Sequence, residues 1–505
     1  MRPARFSGVA AAILGWALAV PALAQGDAGA DDALAQTAPK IEELFERTLT
    51  EAHVPALVYG IVRDGKLVVF AAMGDRDVGT AGIEPVDADT RFRIASMSKA
   101  FTAAAILKLR DEGWLSLEDP AAKYVPQMRQ WRQATPDAPA ITIGDLLRHT
   151  GGFVEDNPWG DRQQVLSEDA FTQLIAGGMD FATTPGTAYE YSNYGYALLG
   201  RIVTNVSGRR YQDYIRQEIM LPLGMTSTGY DVLASPPESR AIGYRWEKGA
   251  YRREPDMADG AFGAMGGVET TANDYAKWMI FLLSAWPPSN APDTGPLRRA
   301  SVREMVKWVT PREGIERPAD LGPPCRVGVG YGMGLVVYDD CQLGRIVQHN
   351  GGYPGYGSTM QLLPEAGVGM FSFNARTYFS NAAGVRKALH MLRDAGAAPD
   401  RALPVAAGLA EAYALAVKAW DSGDPLAAPL AVNVALDRDI ADRKADIAAL
   451  KQEVGPCDTG AAIAPISAME GTFEWSCEKG AVRGRIQRAP TVTIELQVLD
   501  FARKP

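Results

Sequence analysis

The chain has 505 residues, 51 Lys and Arg against 60 Asp and Glu, and 47% hydrophobic residues, an ordinary globular composition long enough to bury a sizeable core. Its net charge of −9 offers no basic surface for neutralising phosphates, which argues against a nucleic-acid partner. With four histidines, none in a His-Glu-x-x-His arrangement, metal-dependent hydrolysis has no ligands and no cofactor is implied.

The first 24 residues read as a signal peptide. Arg2 and Arg5 form a positive region, Val9 to Val20 an apolar run too short to span a bilayer, and Ala22-Leu23-Ala24 a small-residue cleavage site. No cysteine follows for lipid attachment, and no later stretch reads as a transmembrane anchor. A soluble, exported protein is expected, periplasmic where an outer membrane exists and secreted otherwise.

Residues 25–38, rich in Ala, Asp and Gly, read as a flexible leader, and Lys40 to Ala52 as the first amphipathic helix. Ala56 to Arg63 and Lys66 to Met73 are β-rich runs joined by Asp64-Gly65, a pair that favours a tight hairpin. From Phe92 to about Trp286 the pattern is helices and long loops. Strand-like runs return at Tyr331 to Tyr338, Gly344 to Gln348, Ser358 to Leu363 and Val368 to Phe373. Strands at both ends with helices between predict an α+β domain over 39–394, an antiparallel sheet flanked by helices and closed late in the chain. Residues 395–404 read as a linker to a small α+β appendage at 405–505, with helices at about 405–420 and 437–453 and strands at about 470–476, 480–487 and 491–499. Cysteines 325, 341, 457 and 477 permit two disulfides in an oxidising compartment. Proximity favours Cys325 with Cys341 and Cys457 with Cys477, although three pairings, or free thiols, are open.

Three short motifs carry chemistry. Ser96 and Lys99 lie three apart at the start of a helix running to about Glu112. One helix face then holds both, so the amine can bond the hydroxyl while the free N–H groups of the first turn favour developing negative charge. A serine becomes a nucleophile this way without a histidine. Ser476 and Lys479 repeat the spacing at the end of a predicted strand with no motif after them, and Ser98 has Phe101 three residues on instead of an amine.

Tyr191-Ser192-Asn193 is the only Tyr-x-Asn in the chain. A phenol beside an ammonium is expected to have a lowered pKa and to shuttle protons, and the Asn193 amide can orient Lys99 and a substrate carbonyl. His349-Asn350-Gly351-Gly352 closes a predicted strand. There glycine admits substrate to the backbone, the N–H groups of Ser96 and Gly352 are oxyanion-hole candidates, and His349 is expected to project into the cleft toward a substrate carboxylate or carbonyl. His149-Thr150-Gly151 shares the His-x-Gly form but follows a helical run, Ile143 to Arg148, and reads as a helix end capped at Gly151 with a packed imidazole. His53 and His390 read as packed or solvent-facing, and Trp159, Tyr353 and Tyr356 as loop packing or cleft walls.

In this order the motifs resemble the serine hydrolase family of class C β-lactamases, D-alanyl-D-alanine carboxypeptidases, D-aminopeptidases and related esterases. The resemblance covers about residues 40–392, including Leu146 to Gly152 and Gly266 to Thr271. It implies a five-stranded antiparallel sheet with a helical insert, Ser96 as nucleophile, Lys99 as its partner and Tyr191 as proton shuttle. No Lys-Thr-Gly occurs; His349 stands where that lysine would be, which weakens the expectation of efficient β-lactam hydrolysis. The expected function is therefore amide or ester cleavage on a small molecule or short peptide. A true β-lactamase and a non-turnover sensor of cell-wall peptides are the alternatives. Oligomeric state is not readable.

Overall fold

The computed structural model describes residues 28–504 except 81–83, 134, 309 and 312–313. The predicted signal peptide lies outside them. Helix α1 spans Ala28–Glu51, so residues 28–38 of the predicted leader are helical. Leu34, Thr37, Ile41 and Phe45 form its buried stripe. Its first turn is tied to the sheet by Arg63, which donates to the Ala30 carbonyl at 3.0 Å and pairs with Asp31. These tertiary contacts outweigh the poor local propensity around Pro39.

Strands β1 (Ala56–Arg63), β2 (Lys66–Gly74), β3 (Arg326–Tyr331), β4 (Val336–Asp340), β5 (Gly344–Tyr353), β6 (Tyr356–Leu363) and β7 (Val368–Asn374) form one antiparallel sheet in the order β2-β1-β7-β6-β5-β4-β3. Short strands at Thr310–Pro311 and Ile315–Glu316 pair with β3. The predicted run Tyr331 to Tyr338 is the junction of two strands, because Gly334 adopts φ +73° and turns the chain back. Conversely β5 runs to Tyr353, five residues beyond its predicted end, and carries the His-x-Gly motif inside the sheet.

Both faces of the sheet are covered, as the period-two alternation of β1 records. Leu57, Tyr59 and Ile61 pack with α1 and with a late helix, α5, at Ala382–Asp394. Val58 and Val62 face the larger core built on helices α2 (Lys99–Asp111), α3 (Asn193–Ser207) and α4 (Ala272–Leu283). Phe101 of α2 stacks on Trp278 of α4 at 4.4 Å. The nucleophile candidate thus sits at the end of a helix buried between sheet and insert.

After α5, Ala397 and Ala398 are buried in the same cluster as that helix, and Arg401 bonds the Pro364 carbonyl at 2.9 Å, so much of the predicted linker is docked. Helices α6 (Ala407–Ser422) and α7 (Ile440–Val454) and strands β8 (Glu470–Cys477), β9 (Gly480–Arg488) and β10 (Leu496–Arg503) follow. They enclose a separate core around Trp420, Phe473 and Trp475. The third predicted strand starts late, since 491–495 is loop. Disulfides join Cys325 with Cys341 and Cys457 with Cys477, the pairings that proximity favours.

Candidate active site

Ser96 lies in a 3₁₀ turn, Ala95–Ser98, that leads directly into α2. Ala95, at φ +48°, turns the chain sharply before it. On the other side of the turn β5 comes so close that a side chain at Gly351 would run into the Ile94 carbonyl and the Ser358 hydroxyl. Ser98 is fully buried and its hydroxyl accepts from the Val268 N–H at 3.0 Å, a structural role.

Lys99 is fully buried. Its Nζ donates to Ser96 Oγ at 3.2 Å, to Asn193 Oδ1 at 2.7 Å and to the Met265 carbonyl at 2.8 Å. Burial lowers its pKa to about 7, against the fields of Asp161 and Asp156, which hold it up. An amine at that value is neutral in about half the molecules at pH 7 and has a lone pair to accept the Ser96 proton.

Tyr191 lines the same cleft as Ser96, but its pKa moves opposite to the sequence expectation, to well above the ordinary 10. Burial of the phenolate dominates, and Lys99 Nζ stands over the face of the ring, 4.8 Å from its centroid. Tyr191 is therefore a protonated donor at neutral pH.

The Tyr-x-Asn turn is held by two residues that sequence reasoning did not single out for the site. Asp156 accepts from the Asn193 N–H at 2.6 Å, the Tyr194 N–H at 2.9 Å and the Ser192 hydroxyl at 3.1 Å, so it caps the N-terminus of α3. His149 is itself the left-handed residue closing its short helix, at φ +59°, a place the sequence reading gave to Gly151. Its packed imidazole lies 4.4 Å from the Tyr191 ring, and Nδ1 accepts from the Ser192 N–H at 3.0 Å.

His349 lines the cleft without being free to act as expected. Nδ1 donates to the Asn350 carbonyl at 2.7 Å, which leaves Nε2 to accept from the Tyr331 hydroxyl at 3.2 Å. Burial, then the Lys99 charge, lowers its pKa to about 3, so the ring is neutral and supplies no cation for a substrate carboxylate. Strand β4 pairs with β5 only as far as Gln348, so from His349 to Tyr353 β5 has β6 on one side and no described strand on the other. Gly352 there faces Tyr378, where a Cβ would stand 2.9 Å from the ring.

These groups line a cleft of about 930 Å³ that contains Ser96, Tyr191, His349, Gly351 and Gly352. Tyr353 and Tyr356 are buried instead, one under Arg93 and the other bonded to the Ala241 carbonyl at 2.8 Å. Trp159 stacks beside Tyr194. His53 stacks on Trp246 and His390 is buried in α5. Ser476 lies in β8 of the second core's sheet and Lys479 in the turn from β8 to β9. Among the described residues no group of His, Cys, Asp and Glu is arranged to hold a metal ion.

Comparison with known proteins converges on one family. The Beta-lactamase family profile matches residues 41–392. Protein flp of Staphylococcus aureus (strain N315) is 34% identical over 261 residues, 49% of this chain and 49% of that protein, so the match spans about half of that relative's length. The D-alanyl-D-alanine-carboxypeptidase/endopeptidase AmpH of Escherichia coli (strain K12) is 29% identical over 353 residues, 66% of this chain and 85% of that one. An octameric penicillin-binding protein homologue from Pyrococcus abyssi shares the fold, with a TM-score of 0.59, 21% identity and coverage of 90% of this chain and 96% of that one.

Proposed function

The chain belongs to the Beta-lactamase family of serine hydrolases, and from that premise we propose that it is an exported acyl hydrolase cleaving the amide or ester bond of a D-residue peptide or carboxylic ester through an acyl-enzyme on Ser96. The observation that carries this reading is the buried Lys99, with Nζ 3.2 Å from Ser96 Oγ and anchored by Asn193 and Met265. Such an amine has one polar neighbour left to activate. Two disulfides support export. No helix among the described residues is long and apolar enough to cross a membrane.

In this mechanism neutral Lys99 takes the Ser96 proton as Oγ attacks the scissile carbonyl. The N–H groups of Ser96 and Gly352 receive the oxyanion, and the edge of β5 beyond Gln348 offers its backbone to an extended substrate. Tyr191, protonated by virtue of its burial, donates to the leaving amine or alkoxide and is restored through Lys99. Water then enters the same cleft and attacks the acyl carbonyl as Lys99 removes its proton; Lys99 returns that proton to Ser96 Oγ as the Oγ–acyl bond breaks, which releases the acid and restores the serine. A β-lactamase reading receives less support, because neutral His349 offers no positive charge to the carboxylate of a penicillin.

The test is hydrolysis of a D-Ala-D-Ala peptide, a short-chain aryl ester and a penicillin by wild type, Ser96→Ala and Lys99→Met. The reading predicts turnover of peptide or ester, slower turnover of penicillin, and loss of about 10³-fold or more in either variant. Undiminished hydrolysis by Ser96→Ala overturns it.

A further inference from the structure

Tyr378 combines an exposed aromatic ring with an unfavourable backbone conformation. It is 47% exposed and lines the cleft together with Ser96, yet its φ of +57° lies in the left-handed region, where a bulky residue is rarely found. Such a conformation persists where its surroundings over-determine it. The Tyr378 N–H donates to the Tyr353 and Tyr356 carbonyls, at 3.3 and 3.2 Å, which seats the residue on the turn between β5 and β6. On one side of it the Thr377 N–H donates to the Tyr244 carbonyl at 2.8 Å, and the Thr377 hydroxyl accepts from the Gly355 N–H at 2.8 Å. On the other the Phe379 carbonyl accepts from the Asn374 side-chain amide at 2.6 Å. The ring is thus mounted on a fixed backbone. It lies against Gly352, where a Cβ would stand 2.9 Å from its Cδ1.

Its place relative to the reaction follows from the strand. In the acyl-hydrolase reading the scissile carbonyl oxygen lies between the N–H groups of Ser96 and Gly352, and the two substituents of the carbonyl carbon point toward opposite ends of β5. Tyr191, the donor to the leaving group, stands at the His349 end, the two rings 6.3 Å apart. Gly352 is three residues further along an extended strand, about 10 Å on. The leaving group therefore runs toward His349 and the acyl group toward Tyr378. Gly351 and Gly352 bring no side chain to that stretch of β5, so the Tyr378 ring is the side-chain surface that the acyl group meets beside them.

We propose that Tyr378 is a specificity-determining residue: its ring, fixed over Gly352, admits an acyl group with a methyl-sized substituent on the carbon next to the scissile carbonyl and rejects one with a ring-sized substituent there. This selection rests on the acyl-hydrolase reading and adds the size class of the acyl donor. It is steric, because moving the ring aside breaks the hydrogen bonds that hold Thr377, Tyr378 and Phe379.

Two esters with one leaving group test it: p-nitrophenyl propionate, with a methyl on that carbon, and p-nitrophenyl phenylacetate, with a phenyl. The readout is the ratio of kcat/KM for phenylacetate to that for propionate, and comparing the ratio between proteins cancels the intrinsic reactivity of the esters. Tyr378→Ala is expected to raise the ratio about tenfold or more, whereas Tyr378→Phe, which keeps the ring, leaves it at the wild-type value. Tyr378→Gly removes the ring and also suits the left-handed backbone, so the same rise in it assigns the effect to the ring and not to strain. Thermal melts establish that each variant is folded, and a general loss of catalytic competence moves both esters together. A ratio unchanged in both Tyr378→Ala and Tyr378→Gly, or one that falls because the ring attracts the phenyl group, overturns the proposal and leaves the acyl-hydrolase reading standing. Absence of Ser96-dependent hydrolysis of both esters by wild type overturns that reading for esters, and the proposal with it.

Discussion

Replacing Asp156 by asparagine tests how the Tyr-x-Asn turn is held. In the wild type one carboxylate oxygen accepts from the Asn193 N–H at 2.6 Å, and the other accepts from the Tyr194 N–H at 2.9 Å and the Ser192 hydroxyl at 3.1 Å. An asparagine keeps one oxygen and presents an NH₂ in place of the other, so at least one buried backbone N–H faces a donor. Loss of a charge-assisted bond of about 1.5–3 kcal/mol, plus about 1–3 kcal/mol for the orphaned donor, predicts destabilisation of about 2.5–6 kcal/mol. The same rearrangement loosens Asn193, whose carbonyl oxygen fixes Lys99 at 2.7 Å, and a shift of about 1 Å in a catalytic amine lowers kcat/KM about 100-fold. Urea unfolding monitored by tryptophan fluorescence gives the first quantity, and kcat/KM for an aryl ester the second. Asp156→Ala, which abandons all three donors, is expected to be worse on both. A stable Asp156→Asn protein with wild-type kcat/KM would refute this account of the turn.

Because Lys99 must be neutral to accept the Ser96 proton and is held at about 7, kcat/KM is expected to fall about tenfold per pH unit below that value and to level off above it; a profile flat down to pH 5 contradicts Lys99 as the base. His349, held at about 3, is expected to show no titration between pH 5 and 8 in histidine-labelled NMR spectra, whereas a midpoint near the unperturbed value of about 6.5 would contradict its neutral, doubly bonded state. The disulfide between Cys325 and Cys341 spans 16 residues, so replacing both cysteines by serine is expected to cost about 3 kcal/mol in unfolding free energy. An unchanged denaturation midpoint would count against that disulfide as a stabilising link.

Most of the architecture was legible because its signals are local. Asp64-Gly65 announces the β1–β2 hairpin, and the β-rich runs of β1 and β7 announce strands. Ser96 and Lys99 were legible for the same reason, since three residues on a helix bring their side chains together wherever the helix lies. What escaped was set by distant contacts. Residues 28–38 look unstructured by composition, yet Arg63 and the sheet fix them as helix. Tyr191 was expected to titrate low beside an ammonium; depth of burial, which spacing does not encode, reverses the direction. His349 reads as a cleft group by motif, but Tyr331, 18 residues before it and two strands away across the sheet, occupies its second nitrogen. Asp156 and Asp161 carry no motif of their own. The signal that could have found Asp156 is the need of α3 for a cap beyond Ser192 at a buried N-terminus.

The central claim is that Ser96 becomes acylated. Intact-protein mass spectrometry of residues 25–505, quenched within seconds of mixing with an aryl ester, a D-Ala-D-Ala peptide or a penicillin, reads that directly. The account predicts a mass increase equal to the acyl group of the ester or peptide in wild type, removed by Ser96→Ala and accumulated more slowly in Lys99→Met. Product formation by wild type with no acyl adduct at any time, or an adduct that persists in Ser96→Ala, would contradict it.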